Sequence, residues 1–182
     1  PRLKKATRFK KINVRHRAFR LLYRIGGTPI LNRAMEDSGA EIRLWALRRV
    51  LSRNHPATVS TLEKLTQDES SHIRFEAVRG LVRRGQRDRL HELLPFLEGE
   101  DYLHQVEAAE TLFDYSKDKI LTLATNILKG DDPYLQRMAL EALASRQIFD
   151  ATQFALPCIV APDPRLRRSA ARYLSQALSH AP

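Results

Sequence analysis

The sequence predicts an all-α fold, a right-handed α-solenoid (α-α superhelix) of about six helical hairpins with a 31-residue period. Three observations predict it. The alanines Ala18, Ala46, Ala77, Ala108, Ala139 and Ala170 recur at one step of 28 residues and then four of 31. Each lies four residues after one apolar position and four before another, with one exception noted below, and that spacing puts three side chains on one helical face. No stretch shows the two-residue alternation of a strand. A fixed period of this length marks a repeat architecture, in which each unit buries its apolar face only by stacking on its neighbours.

The elements follow in order. Arg2-Leu3-Lys4-Lys5-Ala6-Thr7-Arg8-Phe9-Lys10-Lys11 holds six basic residues and no acid. Residues 1–11 are therefore read as a basic N-terminal segment and residues 12–182 as a single repeat array. The second helix of each hairpin is marked by Val14/Ala18/Leu22, Ile42/Ala46/Val50, Ile73/Ala77/Leu81, His104/Ala108/Leu112, Leu135/Ala139/Leu143 and Leu166/Ala170/Leu174. The small central residue lets a neighbouring helix approach, and the larger ones fill the space on either side. First helices are marked by two further series, Leu62, Leu93, Ala124, Ala155 and Thr66, Leu97, Leu128, Ile159, each again at 31-residue steps.

The turns agree. Asp37-Ser38-Gly39, Asp68-Glu69-Ser70-Ser71, Gly99-Glu100-Asp101, Gly130-Asp131-Asp132-Pro133 and Pro162-Asp163-Pro164 precede the second helices. They offer capping oxygens, carboxylates for the positive helix end, and proline where a missing N–H is harmless. Gly26-Gly27 and Gly85 stand where second helices should end, and Pro29 and Pro56 where first helices should start.

An Asp-rich turn leading into apolar-Arg-x-x-Ala-apolar-x-x-Leu resembles the HEAT-like repeat family, including its short bilin-lyase-type variant, over roughly residues 10–180. The resemblance implies that the Arg after the first apolar position pairs with the turn Asp, forming a structural ladder. Asp37/Arg43 and Asp68/Arg74 match that pattern; Gln105 and Gln136 replace the Arg in two copies, and His104 replaces an apolar residue. It also brings two activities into view, a bilin-lyase-like chaperone and an alkyl-purine DNA glycosylase. The second would need a carboxylate caged by aromatic side chains, for which Trp45, Phe75 and Glu76 are the nearest match.

Each residue turns a helix by about 100°. The residue after the first apolar position lies on the core face, so Arg15, Arg43, Arg74 and Arg167 are expected to be part-buried. Six residues after that apolar position stand Arg20, Arg48, Arg79, Glu110, Glu141 and Arg172, pointing away from the core. Beside them, four residues on, stand Arg24, Ser52, Arg83, Asp114, Ser145 and Gln176. Trp45 occupies a position that is mostly polar in the other copies, and reads either as an interface anchor or as cover between repeats. Leu44, Phe75 and Val106 read as packing between repeats. The expected partner-binding set is Arg20, Arg24, Trp45, Arg48, Arg79 and Arg83, although exposed charge on helices is also ordinary solvation.

Charge sharpens that expectation. Residues 1–90 hold 22 Lys/Arg against 8 Asp/Glu, whereas residues 91–182 hold 9 against 13. An acidic partner for the N-terminal half follows. The expected function is a non-enzymatic protein-interaction scaffold or adaptor. One alternative is nucleic-acid binding through phosphate contacts by the basic half. Another is a cytoplasmic regulatory domain excised from a membrane protein, since the chain begins at Pro1 rather than Met. A membrane would then be met through the basic N-terminal segment or a flanking helix. No catalytic, cofactor-binding or metal-binding residue is expected: His16, His55, His72, His91, His104 and His180 show no i, i+4 pair. Asp131-Asp132 reads as a capping turn, and the lone Cys158, within an apolar run, as a buried thiol suited to the cytoplasm.

Overall fold

Turn chemistry sets the helix boundaries in the computed structural model, which describes residues 2–52, 59–115 and 119–180. The helices are α1 (Arg2–Ala6), α2 (Ile12–Gly26), α3 (Pro29–Ala34), α4 (Ala40–Ser52), α5 (Val59–Leu65) and α6 (Ser71–Arg83). They continue as α7 (Leu94–Leu97), α8 (Tyr102–Tyr115), α9 (Ile120–Leu128), α10 (Pro133–Ser145), α11 (Thr152–Ala155) and α12 (Pro164–Ser179). Short 3₁₀ segments, Arg87–Leu93 and Leu156–Val160, lie beside α7 and α11. No strand occurs among the described residues. Pro56 and His55 lie outside them.

Prolines 29, 133 and 164 open α3, α10 and α12, where their missing N–H removes no helical bond. Asp132 accepts from the Leu135 N–H at 2.7 Å, and Asp163 from those of Arg165 and Leu166, as capping residues should. Gly27 closes α2 at φ 67°, a left-handed conformation that costs glycine little, and donates its N–H to the Tyr23 carbonyl.

The chain divides into two compact units, Pro1–Glu92 and Leu93–Pro182. In the first, α3 packs on α2 and α4, α5 on α6, and α4 on α6. In the second, α7 packs on α8 and α9 on α10, while α10 lies between α8 and α12. Each unit is therefore a stack of helical hairpins, the solenoid arrangement the period predicts.

All six template alanines are buried, as are Leu62, Leu93, Ala124 and Ala155 of the first helices. The 31-residue series extends back one step to Leu31, which is also buried. The apolar position directly after the alanine, part of the HEAT-like pattern, is core in five of the six copies, Ala171 alone being exposed. Phe19, Leu47, Val78, Ala109 and Leu140, each directly after the alanine, are all 2% exposed or less. Burying each large side chain contributes about 1.5–3 kcal/mol. His104, in place of an apolar residue, is buried with its ring edge-on to Phe96, and its Nδ1 lies 3.6 Å from Asp101. Two template residues differ from expectation. Val14 and Ile159 are exposed, because among the described residues no full hairpin packs on the outer side of α2 or beyond the last hairpin.

Candidate partner-binding surface

The arginine ladder runs from one hairpin to the next rather than within a hairpin. Arg15 donates from Nε and Nη2 to the Asp37 carboxylate at 2.9–3.2 Å, and Arg43 does the same to Asp68 at 2.7–2.8 Å. These two-point pairs hold both guanidinium and carboxylate planes in fixed register. The expected pairs Asp37/Arg43 and Asp68/Arg74 meet differently. Arg43 and Arg74 donate to the main-chain carbonyls of Asp37 and Asp68, both at 2.8 Å. That contact recurs in every copy: Arg15 to Phe9, Gln105 to Gly99, Gln136 to Gly130 and Arg167 to Ala161. Each is a side-chain N–H reaching the carbonyl six residues back. Glutamine satisfies that bond but has no charge for a carboxylate, and Gly99 and Gly130 offer none, so the charged rungs belong to the first unit. Arg167 is exposed rather than part-buried.

Burial pushes the Asp37 carboxyl up, but the Arg15 guanidinium, the Gly39 N–H and the charges of Arg15 and Arg43 together hold it below the ordinary carboxylate range. Asp68 is held low in the same way by Arg43, the Ser70 N–H and Arg74, against its own burial. Ladder charges are thus internally compensated and serve structure.

The outward set divides. Arg20, Arg24 and Arg83 are exposed, and their side chains make no hydrogen bond or ion pair among the described residues. Arg48 is 55% exposed, yet its Nε donates to Glu76 at 3.2 Å. Arg79 departs from expectation, being only 9% exposed. It follows Phe75 by one helical turn, so its guanidinium lies 5.5 Å from that ring's centroid and 3.9 Å from Glu76. Glu76 therefore stands between Arg48 and Arg79 and screens both. The i, i+3 spacing of Glu76 and Arg79 was a visible signal of this pairing.

Trp45 is half-buried, with its ring meeting His16 and Tyr23 edge-on at 5.6 and 5.9 Å and its body against the core of the first unit. It covers the seam between α2 and α4. Phe75 is fully buried and Glu76 is engaged with arginines, so no aromatic cage surrounds a carboxylate there. In the second unit, Glu110 and Glu141 are exposed, and Glu141 accepts from Arg137 and from Ser169 of the next second helix. Cys158 is buried, and burial pushes its thiol up, away from thiolate chemistry.

The HEAT repeats family matches residues 27–113, a span that begins just before α3 and ends within α8. Solved structures similar in fold extend the likeness to nearly the whole chain. An engineered protein is 19% identical over 98% of this chain and 96% of its own, with a TM-score of 0.58. The complex of CpcE and CpcF of phycocyanin lyase from Nostoc sp. PCC7120 is 20% identical over 84% of this chain and 65% of that chain, with a TM-score of 0.60. A designed armadillo repeat protein is 13% identical over 97% of this chain and 99% of its own, with a TM-score of 0.57. Comparison with curated proteins gives no match. At these identities the likeness establishes an α-solenoid of HEAT-like hairpins and nothing finer. No described helix is long and apolar enough to cross a membrane.

Proposed function

We propose that this chain is a non-enzymatic interaction scaffold whose HEAT hairpins present a basic surface in the first unit to an acidic protein partner. One observation carries the reading: Arg20, Arg24 and Arg83 are exposed and unpaired among the described residues, while Arg15, Arg43 and Arg79, equally charged, are held by the fold. Stacked hairpins offer such side chains on a preformed frame, so little ordering cost opposes binding. Family character supports the reading, since HEAT-like scaffolds serve protein interaction generally. A similar fold has also been solved as a complex of two proteins.

Nucleic acid is the second reading, favoured by the exposed Lys4, Lys5, Arg8, Lys10 and Lys11. It would rest on phosphate contact alone. Binding of short duplex DNA and RNA at two salt concentrations separates the readings. The scaffold reading expects weak binding that Arg20→Glu with Arg83→Glu changes little. Tight binding with a steep salt slope, abolished by the same pair, contradicts it.

A further inference from the structure

Within a stack, α6, α10 and α12 are each covered along one face by the second helix before them; α4 follows the pattern only in part, with Ile42 buried and Arg49 exposed. The positions that meet this neighbour are the first apolar residue and the residue seven further on. In α6, Ile73 and Gly80 are buried, and a Cβ on Gly80 would overlap Leu51 of α4. In α10, Leu135 and Ala142 are buried, and in α12, Leu166 and Tyr173. Ser169, three residues into the α12 register, bonds Glu141 of α10 and so fixes the same face.

In α2 the equivalent residues are Val14 and Leu21, and they are 37% and 44% exposed. Ile25, one turn beyond, is 76% exposed. The three lie within about 40° of one another around the helix and span about 16 Å along it. The five-residue α1 packs on α2 without covering them. Arg17, Arg24 and Arg20 run along one edge of this apolar stripe, exposed and with no side-chain partner among the described residues. α2 carries no acid. Asn13, Val14, His16, Arg17 and Arg20 line a hollow of about 390 Å³ along that edge.

We propose that the open face of α2 receives an amphipathic helix of a partner protein, apolar towards Val14, Leu21 and Ile25 and acidic towards Arg17, Arg20 and Arg24. The fold itself shows that a helix fits this face, since α6, α10 and α12 are covered at the same positions by a neighbouring helix. The arginine edge selects an acidic one. A second copy of the chain docking through the same face would set arginine against arginine, which disfavours it. The inference rests on the scaffold reading for the acidity of the partner, and it adds the location and the secondary structure.

The test uses the full chain and a fluorescein-labelled model helix of the same length as α2, with leucines along one face and glutamates along one flank. A peptide with lysines for the glutamates serves as control. Binding of the glutamate peptide should weaken about tenfold or more, about 1.4 kcal/mol, in Leu21→Asp with Ile25→Asp and again in Arg17→Glu with Arg24→Glu. The lysine peptide should bind at least as weakly as the glutamate peptide does to those variants. All four residues are exposed, so far-UV circular dichroism should stay unchanged.

Glutamate-peptide binding that survives Leu21→Asp with Ile25→Asp overturns the inference. So does binding that is absent in the parent chain while phosphatidylserine-containing vesicles are bound through the same leucine and isoleucine. A partner lost on Arg83→Glu but kept on Leu21→Asp with Ile25→Asp overturns this inference and leaves the scaffold reading standing.

Discussion

Arg43 carries two bonds of different kinds, and the difference determines what can be read from it. Its bond to the Asp37 carbonyl is local and recurs in all six copies, so spacing alone marks a structural residue there. Its bond to the Asp68 carboxylate crosses 25 residues and depends on how hairpins stack, which no local spacing reveals. The sequence therefore shows which arginines are structural but places their carboxylate partners one hairpin out of register. Asp68→Ala leaves Arg43 half-buried beside a lost partner and should destabilise the chain by about 1–3 kcal/mol in urea unfolding. Because Asp37 and Asp68 titrate low in the folded state, their contribution is fully present above the ordinary carboxylate pKa near 3.9. It is lost as pH falls below that value, through the depressed folded pKa. Unfolding curves from pH 7 downward should thus show the parent chain losing, below about pH 4, its advantage over Asp37→Asn with Asp68→Asn. Glu76 makes the converse prediction. Glu76→Gln should release Arg48 and tighten binding of polyglutamate by up to about fivefold, the scale of an exposed ion pair; unchanged affinity would show that Arg48 lies off the binding surface.

At the scale of the helix, the 31-residue period finds the elements because burial repeats with the hairpin. The alanine template names three positions per second helix, the repeat pattern names a fourth directly after the alanine, and that fourth position is buried in five of the six copies. Phe19, Leu47, Val78, Ala109 and Leu140 are the apolar residues at that position. Less legible are residues whose role depends on one neighbour. Arg79 reads as an outward charge from its helical angle, but the Phe75 ring one turn earlier draws it down onto the helix surface. Tyr173 falls outside the alanine template, yet it is buried, and its hydroxyl donates to the Ile148 carbonyl at 3.1 Å and accepts from the Ala151 N–H, tying α12 to the start of α11. Tyr173→Phe leaves those two main-chain groups without this partner and should cost about 1–2 kcal/mol in thermal or urea unfolding, without changing helix content. Gly80→Val should cost about 1–3 kcal/mol, because α6 and α4 touch there and Leu51 must move. A neutral result at Gly80 would mean that the two helices separate more readily than the alanine-centred packing implies.

Across the whole molecule, the uneven charge acquires a physical division that composition could not supply. The first unit spends several of its arginines on ladder rungs and on Glu76, and others, Arg17, Arg20, Arg24 and Arg83 among them, have no ion-pair partner among the described residues. The second unit has glutamines at two of its three ladder positions, keeping Arg167 at the third, and surrounds Glu141 with donors. A scaffold that recognises an acidic protein needs such a local excess on a rigid frame, whereas nucleic acid binding would be marked by phosphate-bound arginines and a steep salt dependence. The most direct measurement places a photo-crosslinking side chain at position 83, on the proposed basic surface, and another at Lys64, exposed on the first helix α5. The account predicts a nuclease-resistant protein adduct from position 83 and none from position 64. An adduct that nuclease removes, or equal protein adducts from both positions, would contradict it.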